Sequence, residues 1–209
     1  MANDFIQLRT PEGRVLFPEL FTPRAIEGST KRRYSITLLI PKNLDAAADA
    51  EMSALKSAVE ERVKQKFPSF PKGLGLPIQD GDKLYDSRDE GQDYYESYRG
   101  MWVVKASLNE LKIDGVTQNP PPPVVDGNKH AITDPTRVYS GCYGRAVVML
   151  SDYDKSGNRG VKFILRAVQI THDGDPLGGP APADLFDTVA QPLEAPAVET
   201  TEASNPGLF

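Results

Sequence analysis

The sequence predicts a mainly β protein with one substantial helix, and three observations carry that expectation. Several short runs alternate polar and apolar residues with the period of two that a half-buried strand requires. One stretch alone, within residues 43–67, repeats its apolar positions at spacings of three and four. The remaining apolar runs are brief and separated by segments rich in glycine and proline.

In order along the chain, "GRVLFPELF" reads as a first strand. "RRYSITLLI" follows, with Tyr34, Ile36, Leu38 and Ile40 on one face and Arg33, Ser35 and Thr37 on the other. Pro41 ends that strand, and Asn43 and Asp45 stand as cap candidates for a helix whose inner face is Ala48, Met52, Leu55, Val59 and Val63. Pro68 closes the helix, because proline cannot donate to the helical ladder. Residues 68–100 read as an irregular surface excursion, long enough to be either functional or disordered. "MWVVKASLN", "VYSGCYGRAVVML" and "GVKFILRAVQI" then read as three strands, with the stiff proline segment "NPPPPVVDG" between the first two. Five strands, one helix and long loops fit an OB-fold-like five-stranded barrel, an architecture whose face and loops hold oligonucleotides. A sandwich is the alternative topology, since strand order alone does not fix pairing.

Residues 1–180 are expected to form this one domain. Residues 181–209, rich in Ala, Pro, Glu and Thr with no sustained period, are expected to be a flexible acidic tail. The tail holds five acids and no lysine or arginine. Of 29 acidic and 24 basic residues in the chain, the excess therefore lies entirely in the tail, and the net charge of −5 does not describe the body. A neutral body can still carry a basic groove, because local field decides where a polyanion docks. The single cysteine fits a reducing compartment. The first residues lack the basic start and apolar run of a secretory signal, and "ITLLI" is too short to span a bilayer, so no membrane role is expected.

The chemistry of most enzyme classes finds no support. Cys142 has only His130 and His172 as possible imidazole partners, and it alternates with small and apolar residues, which points it into a core. A hydrolase using it is one rival reading. No metal-ligand spacing occurs, the two "DGD" triplets at 80–82 and 173–175 read as turns, and no glycine-rich phosphate cradle is present. No metal and no cofactor are expected.

What remains is basic residues interleaved with aromatics: Arg24, Lys31, Arg32 and Arg33 flanking a strand start, Tyr94, Tyr95, Tyr98 and Arg99 leading to Trp102 and Lys105, Tyr139, Tyr143 and Arg145 on one face, and Lys162 and Arg166 on another. A sequence-blind binder of single-stranded nucleic acid needs cations along the path and flat rings for the bases. Strand aromatics also serve as plain core, and that reading competes for Trp102 and Tyr34, which lie on apolar faces.

The phrases "GRVLFPELFTP", "YSITLLIPK", "DGD", "WVVKAS", "PPVVD", "VYSGCYGRAVV" and "GVKFILRAVQITHDGDPLGG", in that order over residues 14–187, resemble the OB-fold single-stranded DNA-binding proteins of tailed bacteriophages. The resemblance implies a non-enzymatic protein that coats and protects single-stranded DNA during replication, recombination or repair in the cytoplasm of an infected bacterial cell. It implies DNA contacts at Lys31, Arg33, Lys42, Trp102, Lys105, Tyr139, Tyr143 and Arg145, with Trp102 and Tyr143 stacking. It also implies a tail, through Glu199, Glu202 and Phe209, that recruits replication or recombination enzymes; a merely solubilising tail is the other reading. Cys142 becomes a packing residue of the family strand. The rival from another class is a structural or adaptor protein of a phage particle acting through protein contacts. The oligomeric state is not legible.

Overall fold

The computed structural model describes residues 7–177, except 27, 29, 30, 90–92, 114, 115 and 156. The expected tail, with Glu199, Glu202 and Phe209, lies outside the described residues.

Strands β1 (Gln7–Arg9), β2 (Gly13–Ala25) and β3 (Arg32–Pro41) precede helix α1 (Ala46–Lys66). Then come β4 (Ile78–Asp80), α2 (Gly81–Asp86), a 3₁₀ segment at Asp93–Tyr98 and β5 (Met101–Asn109). The small pair β6 (Lys112–Ile113) and β7 (Val116–Thr117), strand β8 (Val124–Val125), and the long strands β9 (Tyr143–Lys155) and β10 (Asn158–His172) complete the order. Five strands form a ring, β9-β2-β3-β5-β10, and β9 and β10 pair to close it. The ring is antiparallel except for the parallel β5–β10 pair, where Phe163 faces Ala106. The closed ring is the expected OB-type barrel and overturns the sandwich alternative.

The inward rows fill the barrel. Tyr34, Ile36, Leu38 and Ile40 of β3, Val104 of β5, Val148 of β9 and Phe163 and Leu165 of β10 are all buried. Helix α1 starts where the Asp45 carboxylate accepts the Ala48 N–H, a cap that satisfies one orphan donor of the first turn. Its stripe of Met52, Leu55, Val59 and Val63 joins the barrel core, as its spacing predicted, and the helix packs against β1, β9 and β10. Burying a leucine such as Leu55 contributes about 1.5–3 kcal/mol.

Three expectations need correction. The run beginning at Val138 enters the sheet only at Tyr143; Ser140 and Gly141 form a turn, because Gly141 takes φ +121° against the Asp175 carbonyl, where a Cβ would sit 2.2 Å from that oxygen. Tyr139 therefore does not share a strand face with Tyr143 and Arg145. The excursion 68–100 is also more regular than expected, holding β4, α2 and the 3₁₀ segment. These lay a second small apolar cluster, with Tyr98 and Leu84, over Leu16, Leu39 and Val103 on the outside of the barrel. That cover explains why Leu39 and Val103 are buried despite their outward parity. The "DGD" at 80–82, expected to be a turn, is instead the junction of β4 and α2: Asp80 ends the strand and caps the helix, and the Asp82 carboxylate accepts the Gly100 N–H.

Candidate nucleic-acid interface

Beyond the small outer cluster, no described element covers the outer face of β2-β3-β5, which forms an open cleft of about 500 Å³. Cross-strand register builds its floor: Thr37 lies opposite Lys105, Ser35 opposite Ser107 and Arg33 opposite Asn109, while Arg24 pairs with Arg33 from the other side. Arg24, Arg33 and Lys105 thus line one hollow with Phe17 and Ile26. Among the described residues that line it, Glu19 is the only carboxylate, and it stands 3.8 Å from Arg24. Among the described residues no ion pair engages Arg33 or Lys105. Crowding by the cleft walls pushes the Lys105 ammonium below its ordinary pKa, and the neighbouring Arg33 guanidinium pushes it further. Two like charges held side by side with no ion-pair partner among the described residues make a ready seat for phosphate.

The eight residues singled out from sequence fall in three places. Arg33 and Lys105 line the cleft; Lys31, just before β3, is not among the lining residues, and its carbonyl accepts the N–H of Ile26, which is. Lys42 lies at the far end of β3, donating to Asp80 and Asp82 at 2.6 Å each. Those bonds raise its pKa and occupy its charge. Trp102 falls on the inner parity of β5, three positions from Lys105, and packs against the barrel core. Its ring is covered by Lys56 Nζ at 3.5 Å and Lys42 Nζ at 4.8 Å. Neither Lys42 nor Trp102 joins the cleft.

Tyr139, Tyr143 and Arg145 occupy a third place, around β9 and β10. The Tyr139 hydroxyl donates to the Gly174 carbonyl at 3.0 Å and accepts the Gly174 N–H, so it ties down the 173–175 segment. Tyr143 stacks on His172 at 4.3 Å, and His172 in turn faces Glu12 at 3.4 Å. Arg145 donates through Nε to Gln169 at 2.9 Å. None of the three lines the cleft.

Cys142 is fully buried, and desolvation raises its pKa, the opposite of what a nucleophilic thiol needs. Among the described residues no cluster of three or more His, Cys, Asp or Glu side chains could hold a metal ion. No helix among them is long and apolar enough to cross a membrane.

Sequence reasoning missed Phe17, which is 50% exposed and borders the cations. The available signal was three consecutive apolar residues, Val15–Leu16–Phe17, stopped by Pro18.

A five-stranded OB-type barrel with an open, carboxylate-poor cationic cleft on its outer face belongs to the class of small β barrels built to hold flexible polyanions. Comparison narrows the class. The chain belongs to the family of the single-stranded DNA-binding protein of Enterobacter phage Enc34, whose family model matches residues 6–195. A putative protein, p50, of Acyrthosiphon pisum secondary endosymbiont phage 1 is 30% identical over 194 residues, spanning 87% of this chain and 92% of that one. The fold is similar to that of the phage Enc34 protein solved in complex with single-stranded DNA, with a TM-score of 0.58 and 22% identity over 82% of this chain and 89% of the other. It is also similar to gp2.5, a single-stranded DNA-binding protein encoded by bacteriophage T7, with a TM-score of 0.57 and 17% identity over 90% of this chain and all of that one.

Proposed function

We propose that this protein binds and protects single-stranded DNA, without strong sequence preference, during phage DNA replication, recombination or repair in the cytoplasm of the infected bacterial cell. The observation that carries the reading is the meeting of Arg24, Arg33 and Lys105 in one open cleft, where Arg33 and Lys105 have no carboxylate partner among the described residues. Family membership supports it. The protein acts by binding rather than catalysis, a reading supported by the inaccessible Cys142 thiol. Lys31, Arg33 and Lys105 from the sequence-based set, joined by Arg24, contact phosphates. Arg145 and Tyr143 lie on β9, away from the cleft lining, and are the members of that set whose substitution separates a longer path from a short one.

The test is anisotropy of a labelled oligothymidine titrated with protein at several salt concentrations, with duplex as competitor. The expected outcome is preference for the single strand and affinity that falls with salt, at a log–log slope of about −0.7 per phosphate contacted. Arg33→Ala should weaken binding to all sequences alike and make the slope shallower by about one contact's worth. No binding at low salt would defeat the reading and favour a protein-docking role.

A further inference from the structure

We propose that Phe17 is the platform on which the cleft receives one unpaired nucleobase, and that the Ser140 hydroxyl holds this platform in position; the inference rests on the single-strand reading above.

The backbone shows how the ring comes to be there. Pairing of β2 with β3 runs in register through Leu16 and Thr37, then resumes at Glu19 and Ser35. Three steps on β2 therefore span two on β3, a bulge that re-aims the side chain inside it. Phe17 occupies that bulge with φ +48°, a left-handed conformation that is uncommon for a bulky aromatic. Such a conformation persists only where its surroundings fix it, and such positions concentrate at ligand-holding sites. Here the surroundings are the turn before β9: the Ser140 Oγ accepts the Phe17 N–H at 3.0 Å. Two residues earlier on β2, the Gly141 N–H donates to the Val15 carbonyl at 2.9 Å and the Val15 N–H donates to the Cys142 carbonyl at 2.8 Å. The turn is thereby tied to β2 at three points, at and just before the bulge.

The result is a large apolar ring turned outward beside Arg24, Arg33 and Lys105, while its neighbour Leu16 is buried. A flat ring flanked by cations matches the repeating unit of a single strand, with one base face to stack and phosphates on either side. Within a duplex both faces of each base are already stacked on neighbours, so the ring offers it nothing. Phenylalanine has no hydrogen-bonding group with which to read a base edge, so the platform accepts any base. Phe17 would thus supply the preference for single over double strands, while the cations supply salt-sensitive affinity common to both.

The experiment uses the full-length chain. Affinities for oligothymidine and duplex are measured across salt for wild type, Phe17→Leu, Phe17→Tyr and Ser140→Ala. Separately, Phe17→Trp is placed in a Trp102→Phe background, so that the indole at position 17 is the only tryptophan. The expected results are oligothymidine binding about ten- to hundredfold weaker in Phe17→Leu with an unchanged salt slope, near-wild-type binding in Phe17→Tyr, and a several-fold loss in Ser140→Ala. Indole emission at position 17 should be quenched as oligothymidine saturates the protein. Wild-type affinity in Phe17→Leu, or unquenched emission at saturation, overturns the platform. Should Phe17→Leu fail to fold, the emission reading decides alone. Failure of the wild type to prefer single strands defeats the underlying reading, whereas normal wild-type binding with an indifferent Phe17 defeats only this inference.

Discussion

Lys105 and Trp102 stand three positions apart on one strand, and that spacing alone sends their side chains to opposite sides of the sheet. One became part of an open cationic cleft, the other a ring packed on the core beneath two lysines. Strand parity put Trp102 and Tyr34 on apolar faces, which left a core role open for Trp102 and matches the burial of Tyr34. The meeting of Arg24, Arg33 and Lys105 was not legible, because it depends on the register of three strands that no local pattern specifies. Phe17 was hidden for a related reason, since a bulge breaks the alternation from which exposure is read. The cleft also has a pH signature. Lys105 in the free protein has a lowered pKa, and a bound phosphate would raise it again, so binding takes up a proton. DNA affinity should hold constant below the pKa of the free protein and fall as pH rises through it, at a pH below that of an ordinary lysine. The unfolded chain binds that proton more readily than the fold does, so folding stability rises with pH over the same window. Lost affinity there is therefore not unfolding. Affinity measured against pH for wild type and Lys105→Arg checks this, and the early decline should vanish in the arginine variant.

At the scale of elements, α1 was legible almost residue by residue, because its cap at Asp45 and its stripe from Met52 to Val63 are local properties of the chain. Strand β4, helix α2 and the 3₁₀ segment were not, since each is short and held by distant partners rather than by its own periodicity. Their role is to cover one end of the outer barrel face with Tyr98 and Leu84, which leaves the cleft at the other end. Gly81 makes this cover possible: a Cβ there would lie 2.1 Å from the Tyr98 carbonyl oxygen and 2.6 Å from that of Met101. Both contacts are to backbone, so the cover must shift. Gly81→Ala is expected to destabilise the protein by about 1–3 kcal/mol, read as a lowered midpoint in denaturant unfolding with an unchanged slope. A neutral substitution would show that the cover is loosely held.

For the whole molecule, the number and order of the main strands were legible, and the ring they form was one of two topologies the sequence left open. What decided between them is a set of pairings between residues far apart in sequence, which composition and periodicity do not encode. Charge acts at this scale too. Residues 188–209 contribute three carboxylates and no cation to a chain whose net charge is −5. Removing them should strengthen DNA binding at low salt and change it little at high salt, where the long-range field is screened. Comparing salt titrations of the full chain and the shortened one checks this, and equal affinities at low salt would show those charges to be indifferent to binding.

The parallel β5–β10 pair, a detail of the closed ring, also sets the order in which the molecule comes into being. On the ribosome β2, β3, β4 and β5 emerge first and can form a sheet, but one edge of β2 and the part of β5 beyond its pairing with β4 then wait with unpaired backbone groups. The β9–β10 hairpin is the piece that covers both, β9 meeting β2 and β10 meeting β5. Such a hairpin forms in microseconds once synthesised, whereas synthesis itself proceeds at about 5–20 residues per second. The nascent chain therefore spends seconds as an open sheet, its greatest exposure to aggregation, and becomes a barrel in one step when its last strand arrives.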